Sequence, residues 1–153
     1  IMSNLCELYQ EIIIDHNQFP KHQGIIDEAS HFAEGYNETC GDEIRIYLVI
    51  KENKIHQIQF TAQGCAISKA SASMMCEKLC SMDLSEALEF SKKIQQYLSS
   101  GENSFTSETF FRKDELGDLL ALEGVKNFPM RIKCATLAWH TFDRASTSPV
   151  KSN

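Results

Sequence analysis

Glu43-Ile44-Arg45-Ile46-Tyr47-Leu48-Val49-Ile50, then Lys51-Glu52-Asn53, then Lys54-Ile55-His56-Gln57-Ile58-Gln59-Phe60-Thr61 is the stretch whose reading decides the fold. Its period is two. Ile44, Ile46, Leu48 and Ile50 share one side of the first run, and His56, Ile58 and Phe60 share one side of the second. Such alternation marks strands with one buried face and one wet face. Glu52-Asn53 supplies a short hairpin turn, so the two strands are antiparallel neighbours. Upstream, His31 to Glu38 has the length of a first strand. After Gly64 the period lengthens: Ala66, Ile67, Ala70, Ser71, Met74, Met75 and Leu79 recur at helical spacing. The small side chains in its first turns let that helix approach a sheet closely.

Further out, Ser3 is a candidate N-cap for a first helix carrying Leu5, Leu8, Tyr9, Ile12, Ile13 and His16. That helix must stop before Phe19-Pro20, because proline disfavours helix at the residue preceding it. Residues 20–30 read as an irregular connection. Asp83-Leu84-Ser85-Glu86 has capping-box spacing and predicts a helix to about Leu98. Ser99 to Thr109 reads as a polar loop, and Glu115 to Leu122 as a short helix ending at Gly124. Pro129 suits the first turn of a last helix through Cys134, Leu137, Ala138 and Thr141. Strands first and helices afterwards spell α+β: a small antiparallel sheet of about three strands with helices packed on one face. The reading gives a single domain over residues 2–145 and a flexible C-terminal tail over 146–153. Ile1 reads as an appended residue ahead of a natural start at Met2.

The 153 residues carry 15 basic and 21 acidic side chains, for a net charge of −6. That balance argues against nucleic acid as a partner, since phosphate neutralisation calls for a basic surface. No run approaches the roughly 18 apolar residues of a membrane span, so no membrane partner is expected. No secretory signal is visible at the N-terminus. Six cysteines without export features point to a reducing, cytoplasmic compartment, where thiols serve metals or chemistry more often than disulfides.

The candidate ligands fall in three places: Cys40-Gly41-Asp42, Cys65 after Gln63-Gly64, and Cys134 after Arg131-Ile132-Lys133. In an antiparallel meander the start of the second strand and the end of the third lie at one edge, so Cys40, Asp42 and Cys65 can meet. Cys134 would complete a Cys₃Asp set of the kind that suits tetrahedral zinc. Gly41 and Gly64 give the backbone freedom to turn beside the donors. A helix N-terminus at Cys65 favours a thiolate. Arg131 and Lys133 are available to offset its charge. Spacing alone leaves two readings open, a metal site or small hydrophobic packing residues, because no CxxC pair is present. Cys76, Cys80 and Cys6 read as packing residues, Trp139 as helix packing, and His56 as a satisfied core or sheet-edge histidine. No phosphate loop, nucleophile elbow or HExxH pair occurs.

These residues resemble the iron–sulfur cluster assembly proteins of the IscU/NifU type, particularly the SufU branch. Leu8-Tyr9-Gln10-Glu11-Ile12-Ile13-Ile14-Asp15-His16 with Pro20 and Gly24 is similar to the opening helix and linker of that family. Cys40-Gly41-Asp42, Gly64-Cys65-Ala66-Ile67-Ser68 and Cys134-Ala135-Thr136-Leu137 are similar to its three ligand blocks. The SufU branch is indicated by Lys133, where the IscU type has His, and by the lack of a Leu-Pro-Pro-Val-Lys motif between Gly124 and Ile132. The segment near Ser99 to Glu115 resembles the SufU insertion.

The resemblance implies Zn²⁺ held by Cys40, Asp42, Cys65 and Cys134. It also implies persulfide sulfur taken from a pyridoxal-phosphate cysteine desulfurase of the SufS type, with downstream iron–sulfur scaffold proteins as further partners. A desulfurase His would displace Cys40 from the metal, leaving Cys40 as the sulfur-accepting thiolate. Arg131 is the candidate for steadying it. Such a chain is a sulfur-transfer accessory protein rather than a stand-alone enzyme. The alternative is a scaffold assembling a transient [2Fe–2S] cluster, or holding iron, on the same ligands.

Overall fold

In the computed structural model the described residues are 2–100, 111 and 115–150, with side chains described from Tyr9 onward. The chain runs α1 (Met2–Gln18), β1 (His31–Asn37), β2 (Asp42–Lys51), β3 (Lys54–Gln63), α2 (Ala66–Leu79), α3 (Leu84–Ser99), a 3-10 segment (Gly117–Asn127) and α4 (Pro129–Ser146). The strands form one antiparallel sheet in the order β1-β2-β3. The loop over Ser99 to Thr109 and the side chain of Cys6 fall almost wholly, or wholly, outside the described residues.

Alternation in β2 does what its pattern requires: Ile44, Ile46 and Leu48 are fully buried, while Arg45 faces solvent. The hairpin turn is of the type I′ kind, with Glu52 at φ +52° and Asn53 at φ +60°. β3 departs from strict alternation. The register shifts from Val49↔Gln57 to Ile50↔Ile55, a bulge that skips His56. Ile55 is therefore buried beside Ile58 and Phe60, and His56 is exposed rather than on the apolar face. The bulge exchanges an imidazole for an isoleucine in the core, which burial favours.

Both sheet edges are covered by backbone. Against β3, Gly24 N–H donates to Phe60 O at 2.8 Å and Phe60 N–H to His22 O at 3.1 Å, so residues 20–30 are partly paired. Ser81 and Met82 exchange bonds with Ile55 at 3.0 and 2.9 Å. Against β1, Phe32 N–H donates to Ser148 O at 3.2 Å and Val150 N–H to Ser30 O at 2.8 Å. Residues 147–150 thus lie along the strand, Ser146 closes α4, and residues 151–153 are outside the described set. Paired edges remove the open donor and acceptor rows that invite aggregation.

The helices stack on the inner face of the sheet. α4 lies on β1 and β2 and also touches α2, α3 and the 3-10 segment, and α1 packs on α2 and the 3-10 segment. Being surrounded, α4 buries residues Cys134 through Trp139 together with Thr141, Phe142 and Ala145. Trp139 is fully buried, as helix packing predicts, and its Nε1–H donates to Ser71 Oγ at 3.1 Å. Ser71 in turn donates to Ala135 O at 2.6 Å. Two local expectations are corrected. Asp83 occupies the N-cap of α3 without a side-chain cap bond, and Leu84 N–H donates instead to Asn53 O of the β-hairpin turn at 2.9 Å. The helix expected over Glu115 to Leu122 is a run of 3-10 turns from Gly117 to Asn127.

α4 reaches β1 at Gly35, where an added Cβ would collide with Thr141 Oγ1 and stand 3.2 Å from Leu137 Cδ1. Gly35→Ala should therefore destabilise the protein by about 1–3 kcal/mol, as overpacking of a tight core does. Urea unfolding measures it, and an unchanged midpoint would contradict this packing.

Candidate metal centre

The sulfur and carboxylate donors converge where β1, β2, α2 and α4 end or begin. Asn37 and Asp42 pair across the first hairpin, leaving residues 38–41 as its loop, with Gly41 at φ +71°. That loop carries Cys40. Glu43 pairs with Gln63, which brings Gly64 and Cys65 alongside Asp42. Cys134 arrives from the second turn of α4, where Asn37 Nδ2–H points at its sulfur over 3.6 Å. Ligand atoms of Cys40, Asp42 and Cys134 lie within 4.8 Å of one another. Cys65 joins through Asp42, its Sγ standing 3.7 Å from Oδ2 and its backbone N–H donating to Oδ1 at 2.8 Å.

Asp42 is only 2% exposed, and among the described residues no Lys or Arg pairs with it. A carboxylate sealed from water without a cation is costly unless a positive charge is supplied. The carboxylate does receive the backbone N–H of Cys65, the N-cap of α2, and the helix N-terminus favours an anion. Cys134 is equally buried. Burial pushes its thiol well up, and the adjoining Asp42, Cys40 and Cys65 side chains add to the rise. Bare thiolate is disfavoured there, so deprotonated sulfur requires a bound cation. Three sulfurs and one carboxylate fit a four-coordinate, borderline-soft divalent metal.

Cys40 and Cys65 are half-buried residues, less enclosed than Cys134. Arg131 and Lys133 are exposed in the first turns of α4, and among the described residues neither is hydrogen-bonded to the four donors. Cys76 is fully buried in α2. Burial pushes its thiol up, with Cys80 adding, which is the behaviour of a packing residue. Asn37 was not singled out in the sequence reading, and Gly64, expected to give the backbone freedom beside the donors, also approaches Asp42 closely. Their role depends on strand pairing across the site, which no local pattern announces.

The family model for the NifU-like N-terminal domain matches residues 8–135. The chain is 36% identical over 142 residues to the zinc-dependent sulfurtransferase SufU of Bacillus subtilis, covering 93% of this chain and 91% of that one. It is 34% identical over 138 residues to the iron–sulfur cluster assembly scaffold protein IscU of Thermotoga maritima, covering 90% and 92%. The crystal structure of FiSufU, a SUF-system protein of Fervidobacterium islandicum AW-1, superposes with a TM-score of 0.77 at 36% identity, over 88% of this chain and 93% of that one. The F. islandicum structure shares the sheet and helices described above.

Gly64, at φ +127°, passes so close to Asp42 that an added Cβ would collide with Oδ1 and come within 2.8 Å of its Cα. Gly64→Ala should displace the Asp42 carboxylate. The expected outcome is a lower melting temperature together with less metal retained per chain by elemental analysis, while a variant holding metal like the wild type would refute the close approach.

Proposed function

The chain belongs to the NifU-like N-terminal domain family, and from that premise we propose that it is a zinc-dependent sulfur acceptor serving iron–sulfur cluster biogenesis. The observation that carries this reading is the cluster of Cys40, Asp42 and Cys134 within 4.8 Å, joined by Cys65 at 3.7 Å from Asp42. The likeness to the B. subtilis zinc-dependent sulfurtransferase over nearly the whole chain supports it. The donors assigned to Zn²⁺ are Cys40, Asp42, Cys65 and Cys134. Bound there, zinc keeps thiolates deprotonated near neutral pH without redox chemistry of its own.

The sulfur-accepting residue is Cys40. The residue is half-buried on the loop between β1 and β2, whereas Cys134 is sealed in the core and Cys65 is anchored by Asp42. The donor is the persulfide of a cysteine desulfurase of the SufS type. The Cys40 thiolate attacks the outer sulfur of that persulfide, and a new S–S bond forms on Cys40. The desulfurase S–S bond breaks, and its inner sulfur leaves as thiolate with the electron pair. One sulfur atom moves and no net oxidation occurs. Arg131, exposed three residues before Cys134, is assigned to offset negative charge as the persulfide forms. Thiols on a loop must stay reduced to act, which fits a cytoplasmic setting; no helix among the described residues is long and apolar enough to cross a membrane.

A second reading, transient [2Fe–2S] assembly on the same donors, is supported by the likeness to the scaffold protein of T. maritima. Desulfurase turnover separates the two. Zinc-loaded wild type at one equivalent should stimulate a SufS-type desulfurase strongly, and Cys40→Ala should keep its fold but lose the stimulation. No stimulation by either protein refutes sulfur acceptance, and brown protein after anaerobic reconstitution would then favour the scaffold.

Zinc also bears on stability. At a free concentration 100-fold above its dissociation constant, zinc should stabilise the wild type by about 2.7 kcal/mol. For a chain of this size that is a rise of about 5–10 °C in melting temperature. Cys134→Ser should show far less of this gain, and equal shifts in both proteins would exclude Cys134 as a ligand.

A further inference from the structure

A second set of donors meets at the other end of α2. His16 of α1, Glu77 of α2 and Asp118 of the 3-10 segment each bring one ligand atom within 4.8 Å of the others. Glu77 lies twelve residues beyond Cys65, about 18 Å along the helix axis, so this cluster is separate from the thiolate centre.

His16 is 3% exposed, with Nδ1 2.8 Å from Ser73 Oγ and Nε2 2.9 Å from Asp118 Oδ2. Ser73 Oγ is itself fixed, because Lys21 N–H donates to it at 2.7 Å. One ring nitrogen held by an outer partner and the other turned toward carboxylates is the arrangement of a metal-ligating imidazole. Glu77 and Asp118 are exposed, and among the described residues neither pairs with a Lys or Arg. Lys78, which shares their cleft, turns its Nζ to Glu115 O at 2.6 Å and to the Phe90 ring, 5.1 Å from its centre. Both carboxylates line an open cleft of about 210 Å³, walled by Met74, Leu116 and Leu119.

We propose that His16, Glu77 and Asp118 form a second metal site for a divalent first-row ion, with its remaining coordination positions facing the cleft. A neutral imidazole and two carboxylates sum to −2, which a divalent cation cancels. The donor set of one nitrogen and two carboxylates suits Mn²⁺, Fe²⁺ or Zn²⁺ and offers nothing to a thiophilic ion such as Cu(I). This inference stands independently of the sulfur-acceptor reading.

Mn²⁺ is the probe, because it favours oxygen and nitrogen over thiolate. Full-length protein given one equivalent of zinc, which the thiolate donors take first, is titrated with Mn²⁺ and the loss of the free-ion EPR signal is followed. One equivalent should be taken up by the wild type and equally by Cys134→Ser. Glu77→Gln and Asp118→Asn should bind about tenfold or more weakly. Glu77 makes no bond to His16, so Glu77→Gln leaves the His16–Asp118 tie intact and its metal-free melting temperature unchanged. No uptake by the wild type at millimolar Mn²⁺ would overturn the proposal, as would equal uptake by wild type and Glu77→Gln; either result would leave His16–Asp118 as a structural tie between helices.

Discussion

The seating of α4 on β1 at Gly35 is the contact on which the rest of the molecule depends. A strand residue without a side chain lets Thr141 approach the sheet directly, and from there α4 runs antiparallel to β1. Cys134 lies beside Asn37 at one end, the Arg144 guanidinium donates to Glu34 O further along, and Ser148 and Val150 pair with the start of the strand. A helix moves its side chains about 5.4 Å per turn, so a slip of one turn would carry Cys134 away from Asp42 and break the edge pairing together. Packing at the centre therefore sets the geometry at the rim.

Polar ties inside the helical layer hold α2 in one rotational setting. Ser71 bridges Trp139 and Ala135, while two residues on Ser73 meets His16 and the Lys21 amide. The small Ser and Ala side chains of α2 bring neighbouring helices close enough for these bonds, and each bond satisfies a group that burial would otherwise penalise. Apolar contact alone would tolerate a rotated α2. The hydroxyls do not, and α2 carries Cys65 at its start and Glu77 near its end.

How much of this was legible in the sequence differs from element to element. β2 announced itself because a central strand covered on one face must alternate. The bulge at His56 did not, since a single skipped residue leaves the surrounding letters looking like unbroken alternation. The edge coverings by residues 22–24 and 147–150 are made of backbone bonds, which side-chain patterns do not encode. The nearness of Cys40, Asp42 and Cys65 follows from hairpin geometry alone. Cys134 could be named as the residue completing a Cys₃Asp set, but its arrival beside the other three rests on where the final helix lies, which no periodicity says. His16, Glu77 and Asp118 were invisible for the same reason: their meeting rests on tertiary packing between three elements.

The order in which the chain supplies the thiolate cluster carries a consequence for biosynthesis. Chains emerge from the ribosome N-terminus first. Cys40, Asp42 and Cys65 come from one meander of neighbouring strands, and the loops closing among them are short. Cys134 follows 69 residues after Cys65, on the last helix of the described chain. A nascent or truncated chain thus presents an incomplete ring of donors, open on the side that α4 will cover. Only arrival of that helix supplies the last sulfur and seals Asp42 from water. The four donors come together only once α4 has docked.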